Sequence, residues 1–241
     1  AAIAVNIPQI AMDFPQVPQS LVEDIPREPA KYNGKSDSAV IQQKRNNGLK
    51  DYSVYGYILL VFISIIFYMT IAVRVTGLMI SRDYGNATNG SNVLAFVGIG
   101  AMSAGFLFGK VYPKTKEYTI AIAFLIMGLS FFLIGLSEKV WVTTLAAMLC
   151  GFSFRTFIPY VFNKVNSAKG ISTNFATALL LVAFNLGTAI SPYGIRFLEM
   201  IFSVNTPQTI FFIEGSLLII FSVIGFLVMS FYKSKAIIRG W

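Results

Sequence analysis

Six long apolar stretches follow one another between residues 53 and 232, with little polar sequence between them. They run 53–80, 92–112, 118–136, 140–163, 172–196 and 208–232. Each is close to the roughly 20 residues that an α-helix needs to cross a hydrocarbon core ~30 Å thick. A helix on the surface of a water-soluble domain carries a polar face, and these stretches carry none wide enough. The pattern predicts an all-α membrane protein with six transmembrane helices.

Composition narrows the chemistry. Apolar residues make up 55% and charged residues 12%, against about 25% charged in a soluble domain. Histidine is absent and the single cysteine, Cys150, lies inside an apolar stretch. That excludes imidazole metal ligation, histidine acid–base catalysis and an intrachain disulfide. No stretch holds paired carboxylates or a nucleophile–base pair, so a membrane-embedded enzyme is disfavoured and neither metal nor cofactor is expected. The net charge of +8 would suggest nucleic acid in a soluble protein. Here the positive charges lie between the apolar stretches, and the expected partner is the lipid bilayer, with no nucleic acid.

Those charges predict an orientation. Arg27, Lys31, Lys35, Lys44, Arg45 and Lys50 precede the first stretch; Lys110, Lys114 and Lys116 follow the second; Lys164 and Lys169 follow the fourth; Lys233, Lys235 and Arg239 follow the sixth. The alternate connections are poorer, pairing Arg82 with Asp83, Lys139 with Glu138 and Arg196 with Glu199. By the positive-inside rule both termini are cytoplasmic, in a multi-pass protein of the cell membrane. Trp141, Tyr193 and Tyr232 suit the interfacial belt. Asn86 and Asn89 begin Asn-x-Ser/Thr triplets on an external connection, a pattern that is common by chance.

Residues 1–52 are a different kind of sequence. Residues 1–22 are apolar but broken by Pro8, Pro15 and Pro18, and too short before Pro8 to span. They lack the basic leading region of a signal peptide. Residues 23–52 are charged and polar and read as a largely disordered linker, and 233–241 as a cytoplasmic tail. The first residue is Ala, which suggests a fragment or a processed product.

Polar residues fall in stripes at helical spacing: Tyr57, Ser64 and Tyr68 in the first stretch, Ser153, Thr156, Tyr160 and Asn163 in the fourth, Thr177, Asn185, Thr188 and Pro192 in the fifth. Such groups either line a cavity or join helices through hydrogen bonds worth roughly 0.6 kcal/mol each. In the second stretch Ala101, Gly105 and Gly109 form a small-residue ridge that invites close backbone approach. Three charges lie at membrane depth: Arg74, Arg155 and Glu214. A central arginine costs roughly 3 kcal/mol on insertion scales. Helical geometry puts Arg155 about 120° from the stripe of its own helix. It serves either as a clamp for a carboxylate or phosphate or as a structural ion pair. For Arg74 an ion pair or snorkelling is expected, and for Glu214 a structural role.

Three segments carry a family resemblance: AGFLFGKVYPKTKEYTIAI at 104–122, GFSFRTFIPYVF at 151–162 and NLGTAISPYG at 185–194. In that order and spacing, with IPREP at 25–29, the chain resembles the C-terminal half, helices 7–12, of a major facilitator superfamily transporter of the prokaryotic drug:proton-antiporter-like branch. Residues 5–22 resemble the outer end of that family's first helix, which implies that helices two to six are missing. The resemblance implies two inverted three-helix repeats, 53–136 and 140–232. It implies a half-unit of a secondary active transporter that moves a small solute by alternating access, with a second chain or a homodimer supplying the other half. Proton coupling belongs to this branch, but its acids lie mostly in the missing half. The first, second, fourth and fifth stretches would line the cavity, which makes Tyr68, Arg155, Tyr160, Asn185 and Thr188 the cavity candidates. Gly109, Lys110, Lys114 and Lys116 resemble a degenerate form of the family's basic gating loop. The alternative is a truncated, non-transporting remnant or a membrane scaffold built from the same bundle.

Overall fold

The computed structural model describes residues 51–168 and 172–238, with side chains from 54 to 231. The readings for residues 1–50, for Lys169 and for 239–241 lie outside the described residues. The described residues form α1 (Asp51–Ser81), α2 (Ala87–Thr115), a 3-10 turn (Lys116–Tyr118), α3 (Thr119–Leu136), α4 (Val140–Asn166), α5 (Thr173–Ile201) and α6 (Pro207–Ile238). They are all-helical. Five segments are long and apolar enough to cross a membrane, with Ala87–Leu136 counted as one of 50 residues.

Local chemistry sets the boundaries. α2 begins five residues before its apolar run because Asn86 and Asn89 form a capping box. Asn86 Oδ1 accepts from the Asn89 N–H at 2.9 Å, and Asn89 Oδ1 accepts from the Asn86 N–H at 3.1 Å. α2 also continues through Pro113 to Thr115. The basic segment at 109–116, expected as a loop, is therefore mostly helix, and only Lys116 lies in the turn. Lys116 reverses the chain with a φ of 43°, in the left-handed region. α6 runs on to Ile238, past the apolar run, since no proline or glycine follows Gly225 until Gly240.

Cross-helix contacts fix the direction of each element. α2 lies along α4 in parallel. Tyr84, just before α2, meets Thr143 at 3.2 Å near one end, and Tyr112 packs its ring edge on Tyr160 near the other. α3 lies antiparallel to α4. Glu117, in the turn just before it, holds Lys164 near the end of α4, and Ser153 Oγ donates to the Ala123 carbonyl further along. The chain thus folds back at the 3-10 turn, and Ala87–Leu136 is two antiparallel helices.

The remaining pairs follow. α1 runs parallel to α5, with Gly187 against Phe62 and Ile65, and Arg74 against Glu199. α3 runs antiparallel to α6, from Tyr118–Phe226 to Phe132–Phe212. α1 runs antiparallel to α6 through Phe67–Phe221 and Thr70–Glu214.

Glycines permit the tightest of these crossings. A Cβ on Gly100 would overlap the Met148 carbonyl, and one on Gly151 the Val97 carbonyl. The α2–α4 crossing therefore uses Gly100 and Gly151. Gly105 and Gly109 of the predicted ridge have open space beside them, as does Gly98. The core is apolar and aromatic, with Phe131, Phe154, Phe157, Tyr160 and Phe211 fully or almost fully buried. The exterior is apolar too: Met102, Phe106, Phe197, Met200 and Phe231 are all more than 60% exposed. Such a surface needs hydrocarbon or another apolar surface over it. The chain is a multi-pass membrane protein in architecture.

Candidate functional site

Three helices converge at Phe154, halfway along α4. Its buried ring stacks on Tyr68 of α1, with centroids 4.1 Å apart and planes 11° from parallel. Phe184 of α5 approaches the same ring at 6.3 Å. The next residue, Arg155, turns ~100° around the helix and is exposed. It makes no hydrogen bond or ion pair with any described residue. Tyr68 stacks on Phe154, the immediate neighbour of Arg155, so Tyr68 and Arg155 lie at the same level of the bundle.

Asn185 of α5, beside Phe184, is also exposed. Its Nδ2 donates to the Leu181 carbonyl at 2.8 Å on its own helix, which leaves the side-chain carbonyl unpartnered. Thr188 is half-buried and donates to the Phe184 carbonyl at 2.9 Å. Tyr68 thus stacks on the residue before Arg155, and Asn185 follows the ring that approaches it, so the three lie at one level near mid-helix, with Thr188 on the following turn of α5.

Tyr160 belongs elsewhere. It is fully buried, and its hydroxyl donates to Glu117 Oε2 at 2.9 Å. Lys164 Nζ donates to Glu117 Oε1 at 2.7 Å and lies 5.6 Å from the Tyr160 ring centroid. This cluster pins the α2–α3 turn to the end of α4. Burial works against the Glu117 carboxylate, but hydrogen bonds from Lys164 and Tyr160, with the lysine charge, outweigh it and hold its pKa below the usual carboxylate value. Sequence reasoning missed Glu117. The available signal was an acid directly after Lys116 in an otherwise basic connection.

The rest of the α4 stripe is spent within the bundle. Ser153 and Thr156 are buried, one bonded to α3 and the other to the Phe152 carbonyl of its own helix. Gly109, Lys110 and Lys114 sit exposed on the last turns of α2, with Lys116 exposed in the turn. None of the three lysines pairs with a described carboxylate.

At the opposite end, Arg74 Nη2 pairs with Glu199 Oε2 at 2.5 Å and links α1 to α5. Arg82 donates to the Gly135 and Ser137 carbonyls at 3.1 and 3.2 Å and to Glu138 at 2.9 Å. Glu214 is fully buried and accepts from Thr70 at 2.8 Å. Its Oε2 and the Nε of Arg74 are buried without a hydrogen-bond partner. A mostly apolar groove of about 120 Å³ between α1 and α6 is lined by Leu60, Ile63, Phe67, Leu218 and Phe221, with Ser64 of the α1 stripe among them, and none of Tyr68, Arg155, Asn185 or Thr188 lines it.

No protein-family model, no curated protein and no solved structure matches this chain.

Proposed function

We propose that this chain is a half-unit of a secondary active transporter, moving a small solute across the cell membrane by alternating access. The observation that carries the proposal is the exposure of Arg155 and Asn185 at mid-helix in a bundle whose exterior is mostly apolar. Polar groups at that depth are costly against hydrocarbon. A shared aqueous cavity, completed by a second copy or a separate six-helix chain, relieves that cost. Tyr68 and Thr188 lie at the same depth, and the open positions Gly105 and Gly109 of the small-residue ridge offer a surface for close approach. On this account Tyr160 is a structural anchor of the α2–α3 turn.

The helix pairing supports two inverted three-helix repeats and six spans, in the arrangement of a major-facilitator half. Exchange α1 for α4, α2 for α5 and α3 for α6. The parallel pair α1–α5 becomes the parallel pair α4–α2. The antiparallel pair α1–α6 becomes the antiparallel pair α4–α3, and α3–α6 maps onto itself. Three helices per repeat is an odd number, so the second repeat enters the membrane from the opposite side. As a single span, 50 residues of helix would reach ~75 Å, more than twice the hydrocarbon thickness. The end bearing Lys110, Lys114, Lys116 and Lys164 is cytoplasmic by the positive-inside rule, and both termini with it. The lysines on the last turns of α2 are topology-setting charges that also lie where a gating contact would form.

One observation favours a second reading, a non-transporting remnant or membrane scaffold. The groove between α1 and α6, at about 120 Å³, falls below the ~300 Å³ of a typical ligand pocket and has little room for a solute. Uptake into proteoliposomes, with a broad solute panel and with or without a proton gradient, tests between the two. Saturable, gradient-sensitive uptake supports the transporter. Uptake no greater than in protein-free vesicles across the panel supports the remnant.

A further inference from the structure

We infer that the open mid-depth face is an anion site, and that its ligand is a small organic anion whose carboxylate or phosphate pairs with Arg155 while its apolar part lies against Tyr68. The inference deepens the transporter proposal and rests on it for the water-filled face.

The charge census at this depth carries the argument. Among the described residues, Arg155 is the charged side chain exposed near mid-helix, and it has no ionic partner. The acids whose side chains are described are all committed or remote. Glu199 holds Arg74, Glu138 holds Arg82 and Glu117 holds Lys164. Glu214 is fully buried between α1 and α6, and Asp83 lies in the connection after α1. A second copy facing this one would add a second Arg155 and no exposed mid-depth carboxylate from its described residues. The shared cavity would then hold fixed positive charge without a counter-charge. Anionic solute supplies the missing charge. The planar guanidinium fork matches carboxylate and phosphate oxygens in pairs.

The neighbouring groups add selectivity. The Tyr68 ring is held flat against Phe154 at 4.1 Å, and Phe184 stands 6.3 Å from the Phe154 ring. This rigid aromatic floor at the level of Arg155 suits an apolar or aromatic body on the anion. The unpartnered carbonyl of Asn185 accepts from a hydroxyl or N–H on the solute. A lipid phosphate shares the anionic chemistry. Its home lies at the bilayer surface, whereas Arg155 sits near the centre of α4.

The test uses the full chain in phosphatidylcholine nanodiscs. Equilibrium binding of radiolabelled benzoate is compared with that of benzylamine, its cationic counterpart. Benzoate is expected to bind saturably and at least tenfold more tightly than benzylamine. Arg155→Gln should weaken benzoate at least tenfold, Arg155→Lys less, and Tyr68→Ala about threefold or more. Arg196→Gln, at an exposed arginine near the other end of α5, should stay within twofold. Equal affinity for the two probes overturns the inference without any variant, which covers the case in which Arg155→Gln fails to fold. Absence of saturable benzoate binding, or unchanged binding in well-folded Arg155→Gln, also overturns it. Co-purification of phosphatidylglycerol with the wild type but not with Arg155→Gln, together with no benzoate binding, would make lipid the occupant and overturn it too. Counterflow in proteoliposomes separates the two claims. Benzoate binding without any exchange leaves the site and removes the transporter, whereas exchange of benzylamine without benzoate binding does the reverse.

Discussion

Thr70 on α1 donates a 2.8 Å hydrogen bond to Glu214 on α6, and it satisfies one oxygen of a carboxyl group whose other oxygen is buried without a partner. Two residues 144 positions apart are thus bound by a polar contact inside an apolar interface. Thr70→Val should cost about 1–3 kcal/mol, the usual cost of orphaning a buried polar group. In the double variant Thr70→Val/Glu214→Leu both polar partners are gone, and most of that loss should be recovered. Thermal unfolding in mild detergent checks this. Strictly additive losses would mean that the pair is not coupled.

The α2–α4 crossing gives a prediction that separates one glycine from another. Gly100→Ala and Gly151→Ala place a methyl group into the backbone of the facing helix and should disrupt the folded bundle. Gly105→Ala meets open space and should leave folding intact or slightly improved. Size-exclusion profiles of the three purified variants read the difference directly.

Asn86 begins α2 through a reciprocal capping box. Asn86→Ala should cost about 1 kcal/mol, and Asn86→Ser or Asn86→Asp much less. A Tm series across the three variants checks the order.

Glu117 links acid sensitivity to the α2–α3 turn. Its carboxylate is held below its ordinary pKa by Lys164 and Tyr160. A carboxylate whose folded-state pKa is depressed contributes stability above its unfolded-state pKa and loses that contribution as pH falls through the folded-state value. The wild type should therefore lose Tm relative to Glu117→Gln as pH is lowered from neutral through the carboxylate range. The effect is small because Glu117 is half exposed and screened by solvent. Parallel pH dependences in the two proteins would show that this contact does not contribute.

Helix positions and the apolar exterior were legible in the sequence, because a lipid-facing helix needs a long apolar run and the chain supplies such runs. The reversal between α2 and α3 was legible from the break in the apolar pattern at 113–117. The pairing of helices was not. Ser153 and Thr156 look like a cavity stripe by spacing, yet they face neighbouring helices, because a polar stripe has the same period whichever helix it meets. Arg155 was placed off that stripe by helical geometry, and the exposed side of α4 is where it lies. The ridge Ala101–Gly105–Gly109 and the contact made by Gly100 and Gly151 show the same limit. Spacing marks which glycines share a face, while only packing decides which face meets a partner. Thr70 and Glu117 escaped notice since each acquires meaning from a residue more than 40 positions away.

The central claim is that the face bearing Arg155 and Asn185 closes against a second six-helix half. The most direct measurement places a single cysteine at Asn185 in a Cys150→Ala background and applies a short bis-maleimide crosslinker in native membranes. A second single cysteine at Val228, exposed on α6, serves as the outward-facing control. Crosslinked dimers from position 185 and none from position 228 are the predicted result if the half is a second copy, and a crosslink from 185 to a separate membrane chain is predicted if it is not. A monomer at both positions, with a spin label at 185 reporting a purely lipid environment, would contradict the claim.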